Sequence, residues 1–228
     1  YEILIGLVGS EMCIRDRALA AVSGSVNQIV TLIVEVFVGL TSGASVIIAQ
    51  FYGAKDHKNL NRTLHTAYAF AIVTGAIVGL IGFWITEKVL IAMKTPSELM
   101  ADSVIYLHIY FCGMIFNIVY NMGASILRAV GDSRRPLYVL IMTCGLNIFF
   151  DIMLVVFLKM GVMGVAIATV SCQGISACMV TWILIKGNSL FRLKIREIRF
   201  YMASLQSVLR IGIPAALEAT MYLSLIHI

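Results

Sequence analysis

Long apolar runs separated by short polar stretches set the rhythm of this chain. Five of them, at about 22–51, 64–86, 103–127, 136–158 and 162–185, are long enough to cross a bilayer, since roughly 20 apolar residues in a helix span the hydrocarbon core. A sixth opens near Ile211, within residues 209–222. Glycine, proline and charge mark the breaks. Gly53 leads into a loop with Lys55, Lys58 and Arg62, and Glu87, Lys88, Lys94, Glu98 and Asp102 separate the second run from the third. Gly131-Asp132-Ser133-Arg134-Arg135 closes the third. Pro136 opens the fourth, where its absent N–H would lack a helical partner in any case. Gly161 parts the fourth from the fifth, and a basic linker at 186–208 precedes the sixth. The pattern predicts an all-α polytopic membrane protein whose bundle occupies residues 18–185.

Polar residues inside the runs fall on stripes, because positions four apart share a helix face. Thr143, Asn147 and Asp151 lie on one stripe of the fourth run, Thr169 and Gln173 on one of the fifth. Tyr106, Tyr110, Asn117 and Asn121 follow roughly one side of the third, and Asn27, Thr31 and Glu35 one side of the first. Lipid cannot satisfy such groups, so four striped helices predict a shared internal cavity. Asn117, Asn121 and Gln173 fit ordinary hydrogen bonding between neighbouring helices, worth about 0.6 kcal/mol each. His108 reads as a polar interface residue, with a proton relay as the alternative. Gly39-x-x-x-Gly43 and Gly75-x-x-x-Gly79 would let helix backbones approach closely.

Asp151 is different. A carboxylate near the centre of a membrane helix costs about 2.5–3.5 kcal/mol on insertion scales. The five runs carry no Lys or Arg to pair with it, which leaves a proton or a metal cation as its partner. Glu35 is a second intramembrane carboxylate, comparably placed in the first run.

Composition narrows the function. Apolar residues make up 60% and charged residues 13% of the 228 positions, with a mean hydropathy of +0.95. A soluble domain of this length could not hide so much apolar surface. The net charge of +5 does not point to nucleic acid, because the cations gather in short loops. Lys55, Lys58, Arg62, Arg128, Arg134, Arg135, Lys186, Arg192, Lys194, Arg196, Arg199 and Arg210, twelve in all, flank one side, against Lys88, Lys94 and Lys159 on the other. The twelve-cation side is expected to be cytoplasmic, which starts the first run on the outer side and implies an earlier crossing upstream. The five cysteines contain no C-x-x-C pair and read as packing residues. No H-E-x-x-H exists and Asp151 has no clear carboxylate mate, so an enzyme is not expected. Ile3–Arg17 and Leu223–Ile228 resemble translated read-through of a sequencing adapter, so residues 1–17 and 223–228 are set apart from fold reasoning.

Several stretches resemble the multidrug and toxic compound extrusion (MATE) family, in its DinF-like prokaryotic branch. They are GLTSGASVIIAQFYGAKD (Gly39–Asp56), YLHIYFCGMIFNIVYNMGASILRAVGDSRRPL (Tyr106–Leu137), LNIFFDIML (Leu146–Leu154), MGVMGVAIATVSCQ (Met160–Gln173) and LRIGIPAALE (Leu209–Glu218). The resemblance implies part of a transporter of two six-helix bundles facing a central cavity, with helices 2 to 6 and the opening of helix 7 present here. It implies a monomeric, multi-pass secondary antiporter of the prokaryotic plasma membrane, working on small organic cations and drugs in exchange for Na+ or H+. No cofactor is implied beyond that coupling ion, and no partner beyond substrate and lipid bilayer. The family's cation site maps onto Asn147, Asp151 and Thr169, with Tyr106 beside them, while its helix 1 Asp has no counterpart in this chain. Oxygen donors of this kind suit Na+, and a second nearby carboxylate would favour a proton. Glu218 lies on the helix where some members carry a functional carboxylate, but its offset from Pro214 does not clearly match. The alternative reading is a lipid-linked oligosaccharide flippase of the same superfamily. That would call for Arg or Lys facing a pyrophosphate, which the runs lack.

Overall fold

The computed structural model describes residues 15–92, 95, 97–187, 193–194 and 198–226, and among these the side chains of 31–92, 95, 100–187, 193–194 and 198–221. The expectation about the two ends lies largely outside the described residues, although 15–17 and 223–226 continue the first and last helices. In chain order the elements are α1 (Arg15–Gly53), α2 (His57–Ala92), α3 (Ser97–Cys112), α4 (Met114–Ala129), α5 (Arg134–Asp151), a π-helix (Ile152–Phe157), α6 (Gly161–Ile185) and α7 (Met202–Ile226). The described residues contain no strand. Among the described residues four helices, Thr31–Gly53, His57–Ala92, Arg134–Phe157 and Gly161–Ile185, are long and apolar enough to cross a membrane. A fifth crossing results if Met100–Cys112 and Met114–Ala129 act as one span bent by 47°.

The turns follow local chemistry. Asp56 precedes α2 and accepts from the Asn59 N–H at 3.1 Å and its Nδ2 at 2.7 Å, which holds its carboxyl below the usual range. Asp132 accepts from the Arg135 N–H at 3.2 Å and pairs with its Nε at 3.1 Å before α5. Gly131 (φ 87°) and Gly161 (φ 59°) adopt left-handed backbone where α4 turns into α5 and where α6 begins. The helices overrun the apolar runs at their ends. α7 begins at Met202, inside the stretch expected as linker, because turns at the headgroup level need no apolar side chains.

The third run is the clearest departure from expectation. The sequence reads as one straight span, yet the helix breaks at Gly113. A Cβ there would lie 2.6 Å from both Cγ atoms of Val170, so the bend is where α6 presses against this backbone. The fourth run also changes form, widening into a π-helix immediately after Asp151. Such wide turns often sit at functional positions.

The buried core lies where α1, α2, α4 and α6 meet, and includes Ile48, Leu60, Leu64, Met122, Ile126, Leu127 and Leu184. The outward surface is apolar instead of charged: Trp84 and Phe157 are each 77% exposed and Tyr138 68%. Patches of this kind on the outside of a chain belong against lipid.

Glycine seams hold the bundle together. A Cβ on Gly39 would fall 2.4 Å from the Ala216 Cα, and one on Gly43 would fall 2.4 Å from the Gly212 nitrogen. Gly75 and Gly79 lie equally close to the backbone at Ile115 and Phe111, at 2.8 and 2.6 Å. Both G-x-x-x-G spacings therefore serve backbone contact, the first against α7 and the second against α3 and α4. Gly43→Leu is expected to lower stability by at least about 1–3 kcal/mol through overpacking. Gly53→Ala, with nothing within 4 Å, should be tolerated. Thermal melts of both variants in detergent check this, and equal melting temperatures would remove the seam from the account.

Candidate functional site

Asp151 ends α5, and its surroundings are set by how α6 runs back along that helix. Near the π-helix, a Cβ on Gly164 would meet Leu154 at 3.3 Å. Further along, the Cys172 thiol shares a hydrogen bond with Asn147 and lies within electrostatic reach of Asp151. Asp151 sits between these two contacts, and Thr169 occupies the corresponding stretch of α6 between Gly164 and Cys172. Thr143, one turn before Asn147, is buried and donates to its own backbone at Val139, 2.9 Å away.

A third helix, α3, packs on α6. Tyr106 stacks on Tyr110 with ring centroids 6.2 Å apart, and the Tyr110 hydroxyl accepts from Gln173 Nε2 at 3.5 Å. The structure therefore brings Asn147, Asp151 and Cys172 into one cluster. Gln173 and Tyr110 adjoin it through α6, and Tyr106 follows by stacking. Thr169 shares the α6 face with Gln173 and is half-buried.

Two oxygens here lack donors. Asp151 Oδ1 and Gln173 Oε1 are buried and have no hydrogen-bond partner among the described residues. Nor does Asp151 form an ion pair among those residues. A buried acceptor left unmatched costs about 1–3 kcal/mol, and a cation or a proton would remove that cost. Cys172 and Tyr110 were not among the residues singled out for this chemistry. The signal for Cys172 was its place one residue from Gln173 and three from Thr169, on a face already marked as polar.

Other candidates fall elsewhere. Glu35 is half-buried on α1 and Glu218 exposed on α7, and those two helices pack against each other and not on α5. A cavity of about 230 Å³ lies between α1, α2 and α3, lined by apolar residues such as Ile33, Val78, Ile81, Leu107 and Phe111. His108 stacks on Phe83 at 4.2 Å between centroids, an interface role. Asn121 donates to the Asn117 carbonyl and side chain within α4, at 2.9 and 3.0 Å, so that pair bonds along its own helix and not across to another.

The family model MatE matches residues 1–153. This chain belongs to the MatE family. Among relatives, the probable multidrug resistance protein YoeA of Bacillus subtilis (strain 168) is 30% identical over 223 residues, covering 94% of this chain and 48% of that protein. The probable multidrug resistance protein NorM of Thermotoga maritima is 28% identical over 206 residues, covering 89% and 44%. The fold matches a multidrug resistance MATE family transporter of the MOP superfamily in its outward-facing conformation. The TM-score is 0.86 at 23% identity, over 96% of this chain and 48% of that one. An inward-facing MATE structure matches at a TM-score of 0.80 and 22% identity, over 89% and 46%. The chain thus spans about half the length of the relatives it matches. MatE members are transporters, not enzymes, and this chain shares their multi-pass helical architecture.

A buried carboxylate oxygen without a donor among the described residues should not stabilise the fold. Asp151→Leu is expected to raise the stability of the MatE chain in detergent by about 1–3 kcal/mol, by removing the unmatched acceptor. A loss of more than about 1 kcal/mol would instead show that the carboxylate holds a structural partner.

Proposed function

We propose that this chain is the N-terminal bundle, helices 2 to 6 with the opening of helix 7, of a MATE-type secondary antiporter. It exports small organic cations, drugs among them, in exchange for Na+ or H+. The observation that carries this reading is the buried Asp151 oxygen beside Asn147 and Cys172, which has neither a hydrogen-bond donor nor an ion-pair partner among the described residues. The relatives' printed descriptions as multidrug resistance proteins supply the substrate class. The scarcity of intramembrane Arg and Lys favours this cargo over the pyrophosphate of a flippase.

The mechanism follows from the charge. Asp151 alone is costly in an apolar setting and gains a favourable partner when Na+ or H+ enters from outside. Asn147 supplies a carbonyl oxygen, Thr169 a hydroxyl, and Tyr106 borders the site. The membrane potential adds about 2.3 kcal/mol per charge per 100 mV to inward ion movement. That is enough to bias the population of two bundle arrangements, and substrate leaves in the arrangement where the ion has displaced it. In this reading the basic loops lie in the cytoplasm of a prokaryotic cell, and the protein works as a monomer.

The test uses the full-length transporter in proteoliposomes loaded with a fluorescent organic cation. Asp151→Asn should insert and fold as the wild type does but lose export driven by an imposed Na+ or proton gradient. Whichever gradient drives the wild-type protein identifies the coupling ion. Undiminished gradient-driven export by the variant would refute the assignment.

A further inference from the structure

The linker between α6 and α7 is fastened to the basic end of α2 by a histidine that the transport site does not use. His65 is 4% exposed. Its Nδ1 lies 2.7 Å from the Asn61 carbonyl oxygen, and its Nε2 lies 3.1 Å from the Lys194 backbone nitrogen. A carbonyl only accepts and a backbone N–H only donates. The ring must therefore carry its proton on Nδ1 and present a bare Nε2 to the linker, which only the neutral form can do.

The contacts around it extend the same joint. Thr66, fully buried, donates to the Arg62 carbonyl at 2.8 Å and accepts from the Tyr201 N–H at 3.2 Å. The Arg62 guanidinium stands 5.4 Å over the Tyr201 ring. Leu193, 1% exposed, donates its N–H to the Leu184 carbonyl at 3.1 Å, so the linker is pinned to the end of α6 as well.

We propose that neutral His65 is a proton-sensitive latch holding this linker, and with it the start of α7, against α2. Protonation places a hydrogen on Nε2 facing the Lys194 N–H, two donors head to head, and strands a charge in a buried setting. The charged groups that the packed elements carry at this end, among the described residues, offer that charge no relief. They are Lys55 at the α1–α2 turn, His57, Lys58 and Arg62 on α2, Arg128 ending α4, Lys186 ending α6, and Lys194 and Arg199 in the linker, while Asp132 beyond α4 is paired with Arg135. The one carboxylate at the start of α2, Asp56, is taken by Asn59. The latch is thus closed at higher pH and opens as the ring gains a proton. α7 then keeps only its glycine seam with α1 and its remaining contacts with α2.

Hydrogen–deuterium exchange at Lys194, in the full-length protein in lipid nanodiscs and corrected for intrinsic rate, tests this. Between about pH 8 and about pH 5, wild-type exchange should accelerate by at least about tenfold, one hydrogen bond's worth of protection. His65→Gln offers a donor and an acceptor without titrating, so its exchange should not change over that range. His65→Phe should exchange fast at both pH values. A wild-type protein with pH-independent protection, or a His65→Gln variant with the wild-type pH dependence, overturns the latch. So does wild-type protection in a folded His65→Phe variant. Should that variant not fold, the first two comparisons still decide. None of these readouts depends on which ion or substrate is carried.

Discussion

A bilayer gives its helices neither water to solvate polar groups nor a hydrophobic drive to associate, and every contact in this bundle answers to that restriction. Association has to come from close packing, hence the contact of Gly39 and Gly43 with the backbone of Gly212 and Ala216, and of Gly113 with Val170. Polar side chains have to find partners inside the helices. Thr41, Thr86, Thr143 and Thr220 each return a hydrogen bond to a carbonyl one turn back on their own helix. Tyr68 and Thr181 meet hydroxyl to hydroxyl across the α2–α6 contact. Satisfied in this way, such residues say little about function.

Asp151 violates that restriction. A structural carboxylate would have drawn donors around both oxygens, as Asp56 and Asp132 do at their turns. Asp151 has Asn147 and Cys172 close by, and one of its oxygens still has no donor among the described residues. The helix also widens at the next residue, where regular α-helical hydrogen bonding gives way to the π-helix. The proposed ion-exchange role fits this incompleteness, since a fully matched carboxylate would bind an incoming ion only by giving up a donor.

Much of this was legible in the sequence because the period and length of apolar runs are dictated by the bilayer. The spans, the turns at Gly131 and Gly161, and the stripe through Thr143, Asn147 and Asp151 all follow from that. So did the backbone contacts at Gly39, Gly43, Gly75 and Gly79. What sequence did not reveal depends on which helix faces which. The break at Gly113 lies against Val170, on a helix far along the chain, and a lone glycine inside an apolar run carries no sign of it. The separation of Glu35 from Asp151 is likewise a matter of packing, since period alone places both on polar stripes. Cys172 looked like filler because a small thiol in an apolar run usually is. Only its contact with Asn147 distinguishes it.

The two ties that hold α7 differ in kind, and the difference follows from depth. Gly39 and Gly43 meet α7 within an apolar span, where parting the backbones would create voids that no water fills, so contact there is kept or lost as a whole. His65, Thr66 and Tyr201 tie the start of α7 at the basic end of the bundle, beside the exposed Arg62, Lys194 and Arg199. Lys194 is exposed there, so its N–H, once released, turns to water at a net cost of only about 0.5–1.5 kcal/mol. A bundle that must change arrangement without exposing backbone to lipid can afford an exchangeable joint only near the headgroups. The polar fastening of the linker therefore belongs at the basic end, and the glycine packing belongs in the middle.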